Sequence, residues 1–288
     1  MILRRLGLRP GNGRRGIAWR SAAALGLSAS LMHASGAPAQ SRGDLVRIAA
    51  SGSAVSLNAE LVRPAGPGRF PAVILMHGCG GWQPAVLHAL RQLARELRDQ
   101  GHVVLNLDSF GPRGLDGGVV CESFERLREA REFRTQDAFD ALAHLQGLDF
   151  VDPARVFLIG QSNGGSVALK AAEAGASRRY GRGGPGFRGV VAYYPWCDAL
   201  GTSRPALEAP LVIFGGARDD WVPPDGCRRF RASGAALEVR IYPRAAHSFD
   251  LLAPEHRYLG KLVGYDREAT EDSRRRILDF FRTAIREG

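Results

Sequence analysis

The sequence predicts an α/β fold, with a mostly parallel central sheet covered by helices on both faces. Short, continuously apolar runs such as residues 72–76 and 103–107 alternate with stretches of helical periodicity such as 84–100. A strand that is apolar throughout has to be buried on both faces, which is typical of a parallel sheet between helical layers. Segments rich in glycine and proline between these runs supply the turns.

Each predicted element rests on a local pattern. Residues 46–50 and 55–63 predict an antiparallel hairpin before the turn cluster 64–68. Helix 84–100 has apolar residues at helical spacing and is closed by Gly101. Further strands are predicted at 72–76, 103–107, 156–159, 189–194, 211–214 and 237–242, and further helices at 130–145, 166–174, 225–233 and 267–286. The order contains no internal repeat and predicts a single domain over residues 40–288.

Composition and charge limit the classes of function. Of the 288 residues, 45% are hydrophobic and 24% are charged, which is typical of a folded soluble protein. The net charge is +10, but six of the arginines and no acidic residue lie in residues 1–39, so the rest of the chain carries only +4. A charge this small does not predict a nucleic-acid partner. No apolar run reaches the ~18 residues that a membrane span needs, so we expect none in the mature chain.

Residues 1–39 have the pattern of an export signal. Five arginines precede a mildly apolar stretch at 17–31, and residues 37–39 (Ala-Pro-Ala) form a small-x-small cleavage site. The Arg14-Arg15 pair hints at the twin-arginine export route. These features predict a periplasmic or secreted protein. The alternative is a disordered basic tail on a cytosolic enzyme.

A Gly-x-Ser-x-Gly pentapeptide at residues 160–164 is the most informative motif. It follows the apolar run 156–159 and precedes the helix-forming stretch 166–174, which is the setting of a nucleophile elbow. In such an elbow the chain turns so sharply that glycines flank the serine, whose oxygen is exposed at the carboxyl end of the strand. Ser162 is therefore the predicted nucleophile. Taken alone, the pentapeptide also fits a glycine-rich turn that holds an idle serine.

A serine hydroxyl becomes a nucleophile when a base takes its proton, and two histidines follow Ser162 in the chain. His247 comes just after the last predicted strand, where the topology returns to the active-site edge, whereas His256 lies in a surface-like stretch. His247 is thus the expected base. The carboxylate that orients it is Asp219 or Asp220, although both would also suit a turn cap. The order Ser, Asp, His is that of the α/β-hydrolase fold.

Two backbone N–H groups are expected to hold the negative oxygen of the tetrahedral intermediate. One belongs to Asn163, the residue after the nucleophile, and the other to Cys79 in the loop 77–81 (His-Gly-Cys-Gly-Gly). A plain glycine-rich turn is the alternative for this loop. We interpret His77 as a hydrogen-bonding residue that steadies the loop, not as a base.

From about residue 46 to the C-terminus, the sequence resembles the dienelactone hydrolase family of α/β hydrolases. The resemblance is carried by the elbow and by segments 77–81 (HGCGG), 108–114 (DSFGPRG), 219–223 (DDWVP) and 242–249 (YPRAAHSF). It implies the α/β-hydrolase fold. In that family the triad acid lies three residues before a Val-Pro pair, which selects Asp219.

The chain departs from the family pattern at two points. The archetype of the family uses a cysteine nucleophile, and Ser162 stands here instead, which favours general ester chemistry over dienelactone itself. The archetype also binds its substrate carboxylate with arginines, one of them shortly after the histidine, where this chain has Phe-Asp-Leu-Leu at 249–252. Arg113 is the remaining candidate for a cationic substrate contact, and a role in fixing its own loop is the alternative.

The cysteines Cys79, Cys121, Cys197 and Cys227 form no Cys-x-x-Cys pair, so we predict no zinc site, and we expect no cofactor. Export permits disulfides. In the fold that the resemblance implies, the strand before Cys79 neighbours the strand before the Cys121 loop, and the strands before Cys197 and Cys227 are also neighbours. The resemblance therefore implies the pairs Cys79–Cys121 and Cys197–Cys227.

These features predict an exported serine hydrolase that cleaves small carboxylic esters or lactones through an acyl-enzyme on Ser162. A peptidase or acyl-peptide hydrolase with the same triad is one alternative, which the lack of a second, substrate-gating domain disfavours. A non-catalytic binding protein on a hydrolase scaffold is the other. A small-molecule substrate is the expected partner. The acyl group, the alcohol group and the oligomeric state stay open.

Overall fold

The structure, a computed structural model, describes residues 43–200 and 204–286. The export signal expected over residues 1–39 lies outside this part of the chain. The strands are β1 (Asp44–Ala49), β2 (Ser56–Val62), β3 (Phe70–Met76), β4 (Val103–Asp108), β5 (Val151–Gln161), β6 (Gly189–Tyr193), β7 (Ala206–Leu207), β8 (Leu211–Gly216), β9 (Ser233–Gly234), β10 (Leu237–Tyr242), β11 (His256–Tyr258) and β12 (Lys261–Val263). The helices are α1 (Pro84–Asp99), α2 (Phe124–Gln146), α3 (Asn163–Ala171), α4 (Ala176–Tyr180), α5 (Asp225–Arg229) and α6 (Arg267–Arg286). No helix in the described ranges has both the length and the apolar character that crossing a membrane requires.

Eight of these strands form one central sheet, in the order β1-β2-β4-β3-β5-β6-β8-β10. β2 pairs antiparallel with both β1 and β4, which confirms the predicted hairpin at the start of the fold. From β4 to β10 all neighbouring strands are parallel. The carboxyl ends of these strands therefore meet at one edge of the sheet, where ligands bind in folds of this kind. The remaining strands form two short pairs, β7 with β9 and β11 with β12.

Helices cover the sheet on both faces, and β3 shows why. Its side chains alternate between two hydrophobic clusters. Ala72, Ile74 and Met76 belong to the cluster that contains residues of α2 and α3, whereas Val73 and Leu75 belong to the cluster with residues of α1 and α6. Because both sets are fully buried, the strand is a continuous apolar run. This confirms the prediction of a mostly parallel sheet between two helical layers.

One helix is longer than its prediction. α2 begins at Phe124, six residues before the predicted start at residue 130. Ser123 caps it, because its hydroxyl accepts a hydrogen bond from the Arg126 N–H at 3.2 Å. The first turn is mostly exposed, with Leu127 half-buried.

Candidate active site

β5 ends in a strained turn that carries Ser162. The Ser162 backbone has a φ of 52°, a positive value that few residues other than glycine adopt. The turn needs glycine on either side. A Cβ on Gly160 would lie 2.0 Å from the carbonyl oxygen of Gly164, and a Cβ on Gly164 would lie 2.4 Å from that of Met76. α3 begins at the next residue, Asn163, so the strand, turn and helix of a nucleophile elbow are all present.

Ser162, His247 and Asp219 form a chain of hydrogen bonds. His247 Nε2 lies 3.0 Å from Ser162 Oγ, and His247 Nδ1 lies 2.7 Å from Asp219 Oδ2. An ionised carboxylate only accepts hydrogen bonds, so it fixes Nδ1 as the protonated nitrogen and leaves Nε2 to accept the hydroxyl proton. Asp219 and His247 are both buried. This is an arrangement in which an imidazole can act as a general base toward a serine.

The two neighbouring aspartates have different surroundings. Asp219 Oδ1 accepts two backbone N–H groups at 2.9 and 2.8 Å, which leaves Oδ2 for His247. Asp220 is exposed, and its side chain pairs with Arg257 at 3.0 Å and accepts a backbone N–H at 2.7 Å. The structure thus places Asp219, and not Asp220, beside the imidazole, in agreement with the family resemblance.

Two aromatic rings and a backbone hydrogen bond hold His247 in place. The ring centroids of Tyr194 and Trp221 lie 4.6 and 5.2 Å from that of the imidazole. The His247 carbonyl accepts the N–H of Gly264, just after β12, at 3.2 Å. His256, the other histidine after Ser162, lies on β11 with its side chain exposed. Its Nδ1 is 2.8 Å from a backbone carbonyl oxygen.

The loop after β3 packs directly against the elbow. A Cβ on Gly78 would lie 3.2 Å from the Cβ of Ser162, so a larger residue would push the loop away. Cys79, the next residue of the loop, and Asn163 of α3 both line a cavity together with Ser162. The backbone N–H groups of Cys79 and Asn163 therefore remain the candidate donors to an oxyanion. Asn163 also lies at the positive end of the α3 dipole, which favours negative charge.

His77 supports this loop as a neutral side chain. Its Nδ1 lies 2.7 Å from the Gly78 carbonyl oxygen, and the Ser109 N–H donates to its Nε2 at 3.3 Å, so Nδ1 carries the proton. Burial, with the charge of Arg134 as a second cause, holds the pKa of His77 well below its usual value. The Gly78 carbonyl and the Cys79 N–H belong to one peptide group. His77 therefore fixes the orientation of a candidate oxyanion donor.

A buried guanidinium links the two candidate donor segments. Arg134 of α2 is fully buried and donates to the His77 carbonyl oxygen at 2.7 Å and to Asn163 Oδ1 at 2.7 Å. Burial lowers the pKa of Arg134 to about 9, which leaves the group charged near neutral pH. Sequence reasoning missed this residue. The available signal was an arginine on the buried stripe of α2, between Ala130 and Ala138 at helical spacing.

The structure does not bring Arg113 to the cavities around Ser162. Its guanidinium makes a bidentate ion pair with Asp137, with both N–O distances at 2.8 Å, and donates to the Ser109 carbonyl oxygen at 2.7 Å. It also lies over the Phe133 ring at 4.5 Å. Asp137 is buried, and a buried carboxylate without its cation is strongly destabilising. The geometry therefore replaces the expected substrate contact of Arg113 with the alternative, a role in fixing its own loop.

Both disulfides implied by the resemblance are present. Cys79 is bonded to Cys121, and Cys197 is bonded to Cys227. The first bridge ties the loop after β3 to the turn that precedes α2. The second bridge ties the segment after Trp196 to α5. Each bridge therefore fixes part of the wall around Ser162.

Two cavities meet at Ser162 and share only Cys79, Ser162 and Trp221 among their described lining residues. The histidine-side cavity has a volume of about 130 Å³, and its lining includes Val86, Gln161, His247, Leu251, His256 and Tyr258. The tryptophan-side cavity has a volume of about 160 Å³, and its lining includes Phe124, Leu127, Ser166, Trp196, Val222 and Pro223. The sequence predicts that His256 is a surface histidine. It lines the histidine-side cavity but makes no hydrogen bond to the Ser162 hydroxyl.

A buried carboxylate near the site was also missed from the sequence. Asp250 accepts a hydrogen bond from the Tyr194 hydroxyl at 2.6 Å and another from the Gln161 side chain. Burial raises the pKa of Asp250. Gln161 precedes Ser162, and Tyr194 packs against His247, so Asp250 braces both partners of the Ser–His hydrogen bond. An aspartate three residues after a histidine carries no sign of burial in the sequence.

This arrangement can carry out acyl transfer. A hydroxyl, a base with its orienting carboxylate and two candidate N–H donors converge at the carboxyl edge of a parallel sheet. Among the described residues, no group of three or more metal-ligating side chains comes together. The parallel sheet, the elbow and the order Ser162, Asp219, His247 define an α/β-hydrolase fold. The chain belongs to the dienelactone hydrolase family, whose model matches residues 57–285.

Solved structures share this fold at low sequence identity. The dienelactone hydrolase from Anabaena variabilis ATCC 29413 has a TM-score of 0.59 and 19% identity, with 84% of this chain and 97% of that chain covered. A dienelactone hydrolase-like promiscuous phosphotriesterase from metagenomic libraries has a TM-score of 0.59 and 21% identity, with 84% and 97% covered. Esterase 2 from Thermogutta terrifontis, phosphoramylated by tabun, has a TM-score of 0.57 and 17% identity, with 86% and 96% covered. A comparison with curated proteins gave no match. Family membership makes the chain a hydrolase of the carboxylic-ester class.

Proposed function

We propose that this protein is an exported serine hydrolase that cleaves small carboxylic esters or lactones through an acyl-enzyme on Ser162. The observation that carries the proposal is the unbroken hydrogen-bond chain from Ser162 Oγ through His247 to Asp219, with distances of 3.0 and 2.7 Å. Membership of the dienelactone hydrolase family supports ester or lactone hydrolysis as the chemistry of this site. The single domain expected over residues 40–288 would contain the whole site.

The reaction proceeds in two halves. In the first, His247 Nε2 takes the proton of Ser162 Oγ while Oγ bonds to the carbonyl carbon. The N–H groups of Cys79 and Asn163 hold the negative oxygen, and each such donor typically lowers the barrier by ~3 kcal/mol. The bond to the alcohol oxygen then breaks, and His247 gives the alcohol its proton. In the second half, water attacks the acyl-enzyme by the same route, and Asp219 stabilises the imidazolium that forms each time.

Export is proposed on two grounds. Residues 1–39 carry the pattern of a signal, and the four cysteines are paired in two disulfides, which form and persist in oxidising compartments. The mature chain would then act in the periplasm or outside the cell. N-terminal sequencing of protein recovered from those compartments should begin at Gln40. Full-length protein found only in the cytosol would contradict the proposal.

Paired variants test the catalytic roles. Ser162→Ala should lose kcat by several orders of magnitude and should no longer be labelled by a fluorophosphonate probe. Asp219→Asn should lower kcat by roughly 10⁴-fold, because the imidazole would take the wrong tautomer. Asp220→Asn is the matched control. It should stay within a few-fold of wild type, because Asp220 pairs with Arg257 at the surface.

The controls make the test decisive. Circular dichroism and thermal unfolding check that each variant is folded. Ser177→Ala, a change at a serine paired with Glu208, should keep full fluorophosphonate labelling. Folded Ser162→Ala with near-wild-type esterase activity would reject Ser162 as the nucleophile. A larger loss in Asp220→Asn than in Asp219→Asn would reject the assigned acid.

A further inference from the structure

The two cavities at Ser162 differ in their relation to the base. His247 lines the histidine-side cavity and is not among the described residues that line the tryptophan-side cavity. Asn163, which carries a candidate oxyanion N–H, lines the tryptophan-side cavity. An ester bound at Ser162 has two substituents, the acyl chain and the alcohol. The position of the base decides where each of them must lie.

The alcohol has to leave on the side of the base. When the bond between the carbonyl carbon and the alcohol oxygen breaks, that oxygen receives the proton that His247 Nε2 took from Ser162 Oγ. The oxygen must therefore lie within about 2.6–3.2 Å of Nε2, and the space lined by His247 is the histidine-side cavity. The oxyanion donors take the carbonyl oxygen. The tryptophan-side cavity is then the remaining space at Ser162 for the acyl chain.

Building on the proposed function, we propose that the tryptophan-side cavity is the acyl subsite and that it selects a small, uncharged, apolar acyl group. Its apolar walls include the side chains of Phe124, Leu127, Trp196, Trp221, Val222 and Pro223. None of the described residues lining this cavity is charged, so a charged acyl group would lose its hydration without gaining a partner. The volume of about 160 Å³ suits a short aliphatic chain or a single aromatic ring.

Trp196 is held in place as an apolar contact surface for the acyl chain. Its backbone N–H donates to Ser166 Oγ at 3.1 Å, and the next residue, Cys197, is bonded to Cys227. Its ring lies 5.2 Å from that of Phe124. A wall fixed by a covalent bridge and a hydrogen bond keeps its contact with an acyl chain that fits the cavity.

Pre-steady-state kinetics can separate the two subsites, because the alcohol has already left when the acyl-enzyme is hydrolysed. We compare Trp196→Ala with Leu251→Ala, a change in the histidine-side cavity, using p-nitrophenyl acetate and butyrate. Trp196→Ala should lower the butyrate-to-acetate rate ratio by about tenfold or more in both acylation and deacylation, a typical effect of an apolar pocket contact. Leu251→Ala should slow acylation and leave deacylation of the same acyl-enzyme within about twofold of wild type.

The controls distinguish the subsite assignment from the proposed function. Phe124→Ala carries the same expectation as Trp196→Ala and replaces it if that variant does not fold. Deacylation that depends on Leu251 and not on Trp196 or Phe124 would overturn the assignment. If no acyl-enzyme can be trapped with any substrate, the proposed function itself fails.

Discussion

The Cys79–Cys121 bridge should support catalysis as well as stability, and the second disulfide allows the two effects to be separated. The comparison is between Cys79→Ala/Cys121→Ala and Cys197→Ala/Cys227→Ala. All four half-cystines are buried, so each double variant removes a similar pair of buried sulfur atoms. Of the two bridges, the first holds the loop that carries a candidate oxyanion donor.

The stability losses of the two variants should be nearly equal. The bridges span 42 and 30 residues of sequence. Loop-closure entropy then gives a loss of about 4 kcal/mol for the first bridge and about 3.6 kcal/mol for the second. Urea unfolding measures the free energy of unfolding directly, and the two variants should differ by less than about 1 kcal/mol.

The losses of kcat should differ. Complete loss of one oxyanion donor typically lowers kcat by about 10²–10³-fold. His77 and Arg134 still hold the loop when the bridge is removed, so we expect a partial loss of about ten- to a hundredfold. Cys197→Ala/Cys227→Ala should keep kcat for an acetyl ester within about threefold, because the smallest acyl group depends least on the wall at Trp196.

The assay counts only folded, reactive enzyme. Fluorophosphonate titration gives the number of active sites, and kcat is expressed per titrated site at a temperature well below both unfolding transitions. Equal losses of kcat in the two variants would show that shared instability causes them. An unchanged kcat in the first variant would show that the bridge does not position the oxyanion loop. Either result would refute the reasoning.

Two further predictions concern the buried groups behind this loop. Arg134→Met removes the hydrogen bonds to the His77 carbonyl and to Asn163, so kcat should fall by about tenfold or more while KM changes less than about threefold. Arg134→Lys, which keeps the charge, should recover part of the loss in steady-state assays. A lower melting temperature with unchanged kcat would reduce Arg134 to a purely structural residue. The second prediction concerns pH. Because the pKa of His77 is lowered in the folded state, its stabilising contribution is complete above the unfolded pKa of about 6.5 and is lost as pH falls below it, by roughly 1.4 kcal/mol per pH unit. His77→Gln should make the pH dependence of urea unfolding correspondingly shallower between about pH 4.5 and 7.5, and an equal slope in both proteins would contradict this.

Most of the fold follows from patterns that are local in the sequence. Strands buried on both faces are continuous apolar runs, as β3 and β4 show, so their number and order can be predicted. The elbow can also be predicted, because the close approach of its backbone segments excludes any side chain at Gly160 and Gly164. The placement of Ser162, His247 and the pair Asp219-Asp220 follows from these elements, since each comes just after a strand that ends at the same edge, and the family resemblance selects Asp219.

The parts that could not be predicted depend on packing between distant segments. Arg113 and Arg134 are both arginines near the site, and the sequence does not show which of them is committed to an ion pair. Arg113 forms an ion pair with Asp137, whereas Arg134 is buried between the loop after β3 and the start of α3, on either side of Ser162. The tryptophan-side cavity could not be predicted for the same reason, because its aromatic walls come from three separate segments of the chain. Local periodicity carries no information about such contacts.

The candidate catalytic groups lie on loops or at helix ends, which are ordinarily among the less stable parts of a fold. In this protein, each of these groups is held by a bond or contact from outside the central sheet. A disulfide holds Cys79, a backbone hydrogen bond after β12 holds His247, and Arg134 holds Asn163. Stabilisation of an oxyanion requires donors that are already in place, because a donor that reorganises during the reaction loses most of its effect. The bridge at Cys79 persists only in an oxidising compartment. Export and ester hydrolysis are therefore coupled in this proposal, since in a reducing cytosol the oxyanion loop would lose its covalent tether.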